Sequence, residues 1–355
     1  MPRVAFLGIG GIGGWLSARL HESKTAEIIL IARGTHGKAI TDRGLKLHVN
    51  SGNATASETL QIPPESAEVY ASISEALQKG ITPVDFVILG VKSWQVEEAA
   101  KEALPLLLPG GCVVTTQNGL EAPRKAAAAI GRQHVMAGIC KVIAMISGPG
   151  EIEMNPAPAI FHFGECYDQQ GMEATNATSE RSQRLQTIFR NCKGSDCAIF
   201  GSNAWTAIWE KAIFMCSMGP VGALCRAPID KMCAIPATRS ILKSAMVEII
   251  QCGIAAGYLS TDGRTPEAFA ETCIEQLSKS RPGSTPSTLR DVVAGRPSEL
   301  HELTGGIQRA GLMLGIPTPT HDFIYAALLP QEMLARGEVQ YDLMGVPSTA
   351  PHSQL

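Results

Sequence analysis

Short apolar runs alternate with helical patterns through the first half of the chain. Arg3 to Gly8 reads as a strand, Gly13 to Glu22 as a helix, Glu27 to Ala32 as a strand, and Val84 to Val91 as a strand ending in Lys92. Gly111 to Gln117 is another strand, closed by the turn dipeptide Asn118-Gly119. Parallel strands need crossover connections, so this rhythm predicts a parallel sheet with helices on both faces. Residues 139–165 differ: Ser147-Gly-Pro-Gly150, Pro156 and Pro158 break them into β-prone pieces, expected as antiparallel additions to the same sheet. From Ala204 the period becomes helical, with segments Ala204 to Leu224, Ala237 to Ala256, Pro266 to Ser278 and Pro297 to Leu314. The expected organisation is α/β: a Rossmann-type dinucleotide-binding domain over residues 1–200, an all-helical domain over 201–335 and a mobile tail over 336–355.

Composition narrows the partners. With 30 Lys+Arg against 33 Asp+Glu, the net charge of −3 implies no basic face for nucleic acid. The longest charge-free run, Ala103 to Leu120, is broken by Pro105, Pro109, Gly110 and Gly111, so no membrane span is expected. The ten cysteines form neither a CxxC pair nor a Cys/His cluster, which fits reduced thiols in a cytoplasmic protein and implies no metal. Val4 to Leu7 is too short for a signal-peptide core, and Ser353-Gln354-Leu355 lacks the basic middle residue of a peroxisomal ending.

Candidate chemistry begins at Gly8-Ile9-Gly10-Gly11-Ile12-Gly13, which follows a strand and opens a helix. Gly8 permits the tight turn, Gly10 lets backbone approach a pyrophosphate, and Gly13 lets the helix lie close on the strand. Where NAD-binding versions place an acid, about 20 residues on, this chain has Arg33. A guanidinium binds a 2′-phosphate bidentately, so NADPH is the expected cofactor, with Thr35 or Lys38 assisting; a solvated arginine at a strand end is the plainer alternative. Lys92 and Asn118 also follow strands at the edge where ligands sit, although each alone reads as an ordinary turn residue.

Between Asn203 and Cys225 the only charged residues are Glu210 and Lys211. At helical spacing Lys211 aligns with Ala204, Ala207, Ile208, Met215, Met218 and Gly222, on the apolar face. It either snorkels to the surface or is a partly desolvated ammonium suited to protonating a carbonyl oxygen as hydride arrives at carbon. Glu299 falls in the first turn of the Pro297–Leu314 helix, where an acid is also favoured by the helix dipole alone, and Ser287 reads equally as a cap.

Taken together, these residues resemble the ketopantoate reductase (2-dehydropantoate 2-reductase) family. The likeness rests on Gly8-x-Gly10-x-x-Gly13, Arg33, Val91-Lys92-Ser-Trp-Gln95, Gln117-Asn118-Gly119-Leu120, Trp209-Glu210-Lys211 and Ser287-x3-Asp291-x3-Gly295-Arg296-x2-Glu299, in that order, and runs from Val4 to about Leu329. It implies NADPH-dependent reduction of a 2-oxo acid held in the cleft between the two domains, most directly 2-dehydropantoate to pantoate in pantothenate biosynthesis. Lys211 would be the general acid, Glu299 would position substrate or the lysine, Ser287 would bind the substrate carboxylate, and Asn118 would contact substrate or cofactor. A homodimer is a further expectation. One departure stands out. The family's asparagines four and eight residues after the lysine are here Met215 and Gly219, so either Ser217, Ser284 or Thr285 takes over, or the substrate is a different branched, aromatic or secondary-metabolite 2-oxo acid. A protein that senses NADPH without turnover is the rival from another class, and the retained Lys211 and Glu299 count against it.

Overall fold

The computed structural model describes residues 1–50, 58–155 and 159–341. The expectations for Pro156, Pro158 and the tail from 342 on, Ser353-Gln354-Leu355 included, lie outside the described residues. The chain divides into two compact units, one made of residues 1–117 and 122–207, the other of 118–121 and the described residues from 208 on.

In the first unit the expected alternation is built. β1 (Arg3–Leu7), α1 (Gly11–Ser23), β2 (Glu27–Ile31) and α2 (Gly34–Arg43) lead into β3 (Leu45–Val49), β4 (Glu58–Ile62), β5 (Glu68–Tyr70), α3 (Ile73–Gln78) and β6 (Val84–Leu89). There follow α4 (Val96–Ala103), β7 (Leu107–Thr115), α5 (Ala122–Ile130), β8 (Val135–Lys141), β9 (Ala144–Gly148), β10 (Glu151–Met154), β11 (Ala159–Glu165), α6 (Glu180–Phe189) and β12 (Ser195–Ile199). The main sheet has eight strands in the order β12-β11-β8-β7-β6-β1-β2-β5, all neighbours parallel except β11 against β8. Its register sets Ile31, Leu7, Leu89 and Thr115 in one row, so four strands release their next residues along one edge. β1 lies between β2 and β6, which is the switch point beside which open α/β sheets bind ligands. Phe6, Leu30, Phe86, Val114, Phe161 and Phe163 bury one face of the sheet and Ala5, Ile29, Val87 and Val113 the other, as strands covered on both sides require.

One expectation is corrected. Of the β-prone pieces in residues 139–165, only β11 joins the main sheet antiparallel; β9 and β10 belong to a separate four-stranded sheet, β4-β3-β10-β9. The reason lies on α1. A Cβ at Gly11 would collide with the Ala144 carbonyl oxygen and one at Gly14 with the Ile152 side chain, so these two glycines clear a surface on which the second sheet packs.

The second unit is helical: α7 (Ala204–Cys225, entering from the first unit), α8 (Ile229–Ala234), α9 (Pro236–Ala255), α10 (Pro266–Ser278), α11 (Ser287–Val293), α12 (Leu300–Leu314) and α13 (Pro319–Ala335). Leu242, Met246, Ile249, Ile274, Leu303, Ile307 and Ile324 form its buried interior. No helix among the described residues is long and apolar enough to cross a membrane. A second correction concerns α12, which begins three residues later than periodicity predicts. Glu299 is therefore its N-cap, at φ −91° and ψ 31°, and not a first-turn residue.

Candidate functional site

The glycine-rich turn divides its work among its residues. Gly8 has φ +92°, a region that favours glycine, and a Cβ there would press on Gly90 and Val91 at 3.0 Å. A Cβ at Gly13 would strike the Gly8 carbonyl, so the first turn of α1 lies directly on the end of β1. Gly10 is different: a Cβ there meets only the Gly90 carbonyl oxygen, at 4.0 Å. No internal contact forces glycine at this position, and the open space beside it fits the approach of a pyrophosphate to the backbone. The first amides of the 13-residue α1 lack partners within their own helix and face such a group. Ile9 and Ile12 turn their side chains toward the core and leave only backbone for a ligand. Gly11, counted among the cofactor residues from sequence, is occupied by packing against Ala144.

Arg33, exposed, is the extended N-cap of α2, and among the described residues no carboxylate pairs with it. Lys38 pairs with Asp42 at 3.4 Å, and Thr35 is exposed beside Arg33. His36 ties this loop to the second sheet by accepting the Gly150 N–H at Nδ1, 3.1 Å. Burial pushes its imidazole below the ordinary value, against hydrogen bonds with the Ile9 and Gly148 backbones. Lys92 is exposed just beyond β6, with its ammonium 5.8 Å from the centre of the Trp94 ring. Gln117 splices the ends of β6 and β7 by donating to the carbonyls of Leu89 (2.8 Å) and Val91 (3.0 Å).

In the helical unit, Lys211 is 6 % and Glu299 8 % exposed, which removes the reading of Lys211 as a snorkelling surface lysine. Both influence the buried Cys216 thiol. Burial pushes that thiol up to about 12, Lys211 pulls it back, and Glu299 and Glu121 add to the rise. The charges of one ammonium and two carboxylates are thus felt at the Cys216 thiol, although they come from residues far apart in the chain. Glu121 is fixed by a two-pronged ion pair with Arg309 on α12, 2.7 and 2.8 Å. A Cβ at Gly119, where φ is +91°, would come within 3.1 Å of the Glu302 carbonyl oxygen, so the segment carrying half-buried Asn118 lies against α12 as well.

Ser287 is exposed as the first residue of α11, without a side-chain capping bond. Its neighbours anchor it to α7: a Cβ at Gly219 would sit 2.9 Å from the Thr288 hydroxyl, and one at Gly222 3.1 Å from Pro286. Gly219 is two helical turns, about 12 Å, beyond Lys211. Asp291 and Arg296, part of the sequence likeness, close their own loop with an ion pair at 2.8 Å. Ser217 is buried and gives its hydroxyl back to the Ile213 carbonyl, and the Thr285 hydroxyl faces Arg290 at 3.4 Å. Neither therefore stands ready to replace an asparagine at Met215, which is half-buried. Sequence reasoning missed Glu121, Cys216, Thr288 and the buried group behind Glu299 formed by Ser298, Glu332 and Arg336. Only the i,i+4 spacing of Glu332 and Arg336 signalled any of these.

Comparison with known proteins finds relatives along nearly the whole chain. A 2-dehydropantoate 2-reductase of Mesorhizobium japonicum is 26 % identical over 345 residues, covering 91 % of this chain and 96 % of that protein. The crystal structure of a PanE/ApbA family ketopantoate reductase from Ralstonia eutropha shares the fold with a TM-score of 0.75 at 23 % identity, over 94 % of this chain and 99 % of that one. A D-mandelate dehydrogenase, solved with NADH and anilino(oxo)acetate, shares it with a TM-score of 0.77 at 18 % identity, over the same fractions. The family model described as ketopantoate reductase PanE/ApbA matches residues 4–167 and its C-terminal counterpart residues 203–332. The chain thus belongs to the ketopantoate reductase family, whose members are nicotinamide-dependent oxidoreductases acting on CH–OH groups.

Proposed function

We propose that this protein reduces a 2-oxo acid with NADPH, and that 2-dehydropantoate is its leading substrate. The observation that carries the reading is the burial of an ammonium and a carboxylate in the helical unit, Lys211 6 % and Glu299 8 % exposed. The backbone of Gly10 to Gly13 would hold the pyrophosphate, and Arg33, with Lys92 nearby on the same sheet edge, would hold the 2′-phosphate. When bound, the dinucleotide supplies the hydride that reaches the ketone carbon. Lys211 gives a proton from Nζ to the ketone oxygen, so that C=O becomes CH–OH, and it regains that proton from solvent. Glu299 keeps the ammonium or the nascent hydroxyl aligned, and Asn118, with a donor and an acceptor, orients the substrate. Ser287 meets the substrate carboxylate as a hydroxyl donor.

A second reading, a 2-oxo acid with an apolar or aromatic tail, is favoured by half-buried Met215, which offers dispersion and no hydrogen bond. The fold shared with a D-mandelate dehydrogenase is consistent with that tail. A cytosolic location is supported by the ten cysteines, none of which is joined in a disulfide. Exposed Leu312, Met313 and Phe323 on α12 and α13 support a homodimer, which light scattering at micromolar concentration tests. A panel of 2-oxo acids followed by NADPH absorbance tests the function itself. Turnover of 2-dehydropantoate above the others supports the first reading, preference for an aromatic 2-oxo acid supports the second, and no turnover of any member removes both.

A further inference from the structure

Glu299 sits on a segment that is fastened from behind. Ser298, with no exposed surface, gives its backbone N–H to both oxygens of Glu332, 3.1 and 3.0 Å, and its hydroxyl to Oε2, 2.6 Å. Arg336, one turn along the same helix as Glu332, donates Nε to Glu332 Oε1 at 2.7 Å and Nη2 to the Ser298 carbonyl at 3.1 Å. All three polar groups of Ser298 thus end on one pair of side chains. The Ser298 hydroxyl also accepts the Leu300 N–H at 3.3 Å, and the Glu299 carbonyl accepts the Leu303 N–H at 2.9 Å as α12 begins. The backbone of Glu299 is pinned on both sides.

Helix capping does not require this. A serine or a carboxylate at the N-cap satisfies the first amides of a helix without any buried charge, whereas a carboxylate that is only 3 % exposed must be repaid by hydrogen bonds on every side. Here those bonds converge on the residue immediately before Glu299. Any movement of the backbone carries the whole glutamate side chain with it, and the clamp removes that part of its freedom.

We infer that Glu332 and Arg336 are positioning residues, which through Ser298 hold the Glu299 carboxylate in register with Lys211. The inference rests on the proposed role of Glu299. A displacement of about 1 Å at a reacting group costs about 10²-fold in rate, which is the scale on which the clamp acts.

Glu332→Gln tests it, because both oxygens of Glu332 accept hydrogen bonds and an amide NH₂ in either place faces another donor. With NADPH and the best 2-oxo acid of the panel, kcat is expected to fall about 10- to 100-fold while the Kd for NADPH is unchanged. The same change made in Glu299→Gln is expected to alter kcat less than about twofold, because the clamp acts only through that carboxylate. Losses that multiply in the double variant, or wild-type kcat in Glu332→Gln, overturn the inference. Wild-type kcat in Glu299→Gln alone overturns the role of Glu299 itself, and is recognised without any Glu332 variant. If Glu332→Gln does not yield folded protein, Arg336→Gln, which frees only the carbonyl side of Ser298, is put through the same cycle with the same two outcomes.

Discussion

The glycine-rich turn and the Lys211 region bind and react by different means. At the turn the working groups are backbone: Gly10 leaves open space, Gly8 and Gly13 shape the corner, and α1 presents its first amides. Around Lys211 they are side chains drawn together from α7, from α12 and from the 118–121 segment, and kept by ion pairs and buried hydrogen bonds. A backbone site is written in consecutive residues and tolerates changes in the side chains that flank it. A side-chain site is written in residues 80 or more positions apart, and each member depends on support from others. Substitutions in the first should therefore change binding and leave chemistry, and substitutions in the second should do the reverse.

The largest effect is expected at Lys211. Lys211→Ala should lower kcat about 10²- to 10⁴-fold, the usual share of a positioned general acid, with the affinity for NADPH retained. Stopped-flow NADPH oxidation checks the rate and fluorescence titration the affinity. At the turn, Gly13→Ala should abolish measurable NADPH binding, because its Cβ has no place beside the Gly8 carbonyl, and a lowered Tm should accompany the loss. Gly10→Ala sharpens the comparison: it should fold with unchanged Tm, since the new methyl meets only the Gly90 carbonyl oxygen at an ordinary 4.0 Å, and should still weaken NADPH. Calorimetry on the pair separates a glycine needed by the protein from one needed by its ligand.

Arg33→Ala comes next. Losing a charged bidentate contact of about 1.5–3 kcal/mol should weaken NADPH 10- to 100-fold and leave NADH nearly unchanged. Equal losses for both cofactors would place the 2′-phosphate elsewhere, with Lys92 the next candidate. The smallest effect is expected at Met215. Met215→Asn supplies a donor and an acceptor where the chain has a thioether, and kcat/KM should shift several-fold toward 2-dehydropantoate and away from its deoxy analogue. A wild-type enzyme that already strongly prefers the hydroxylated substrate would show that another residue makes this contact.

The difference between the two regions also explains what could be read in advance. The strand, turn and helix from Arg3 to Ser23 follow from apolar runs and glycine spacing within some twenty residues, and β1, α1, β2, β6 and β7 lie where the pattern puts them. The second sheet was hidden because β9 and β10 alternate as any hairpin does, and two-residue alternation does not name the sheet that a hairpin joins. What decides it is Gly11 and Gly14, whose packing role is masked by a motif with its own reasons for glycine. The position of Glu299 was misread for a similar reason. Periodicity extends α12 back to Pro297, and the residues that stop it, Glu332 on α13 and Arg336 at its C-cap, lie more than thirty positions away. Glu121 looks like an ordinary acid after a turn until Arg309 is seen to hold it.

One experiment bears most directly on this division of labour: the Kd for NADPH and the single-turnover rate at saturating NADPH and 2-oxo acid, measured together on Arg33→Ala and Lys211→Ala. The expected losses cross. Arg33→Ala should lose 10- to 100-fold in affinity and keep its single-turnover rate within about threefold, while Lys211→Ala should keep its affinity and lose at least about 10²-fold in rate. If Lys211→Ala instead turns over at the wild-type rate, or if both variants lose affinity and rate alike, Lys211 is not the proton donor and the two regions do not divide binding from chemistry.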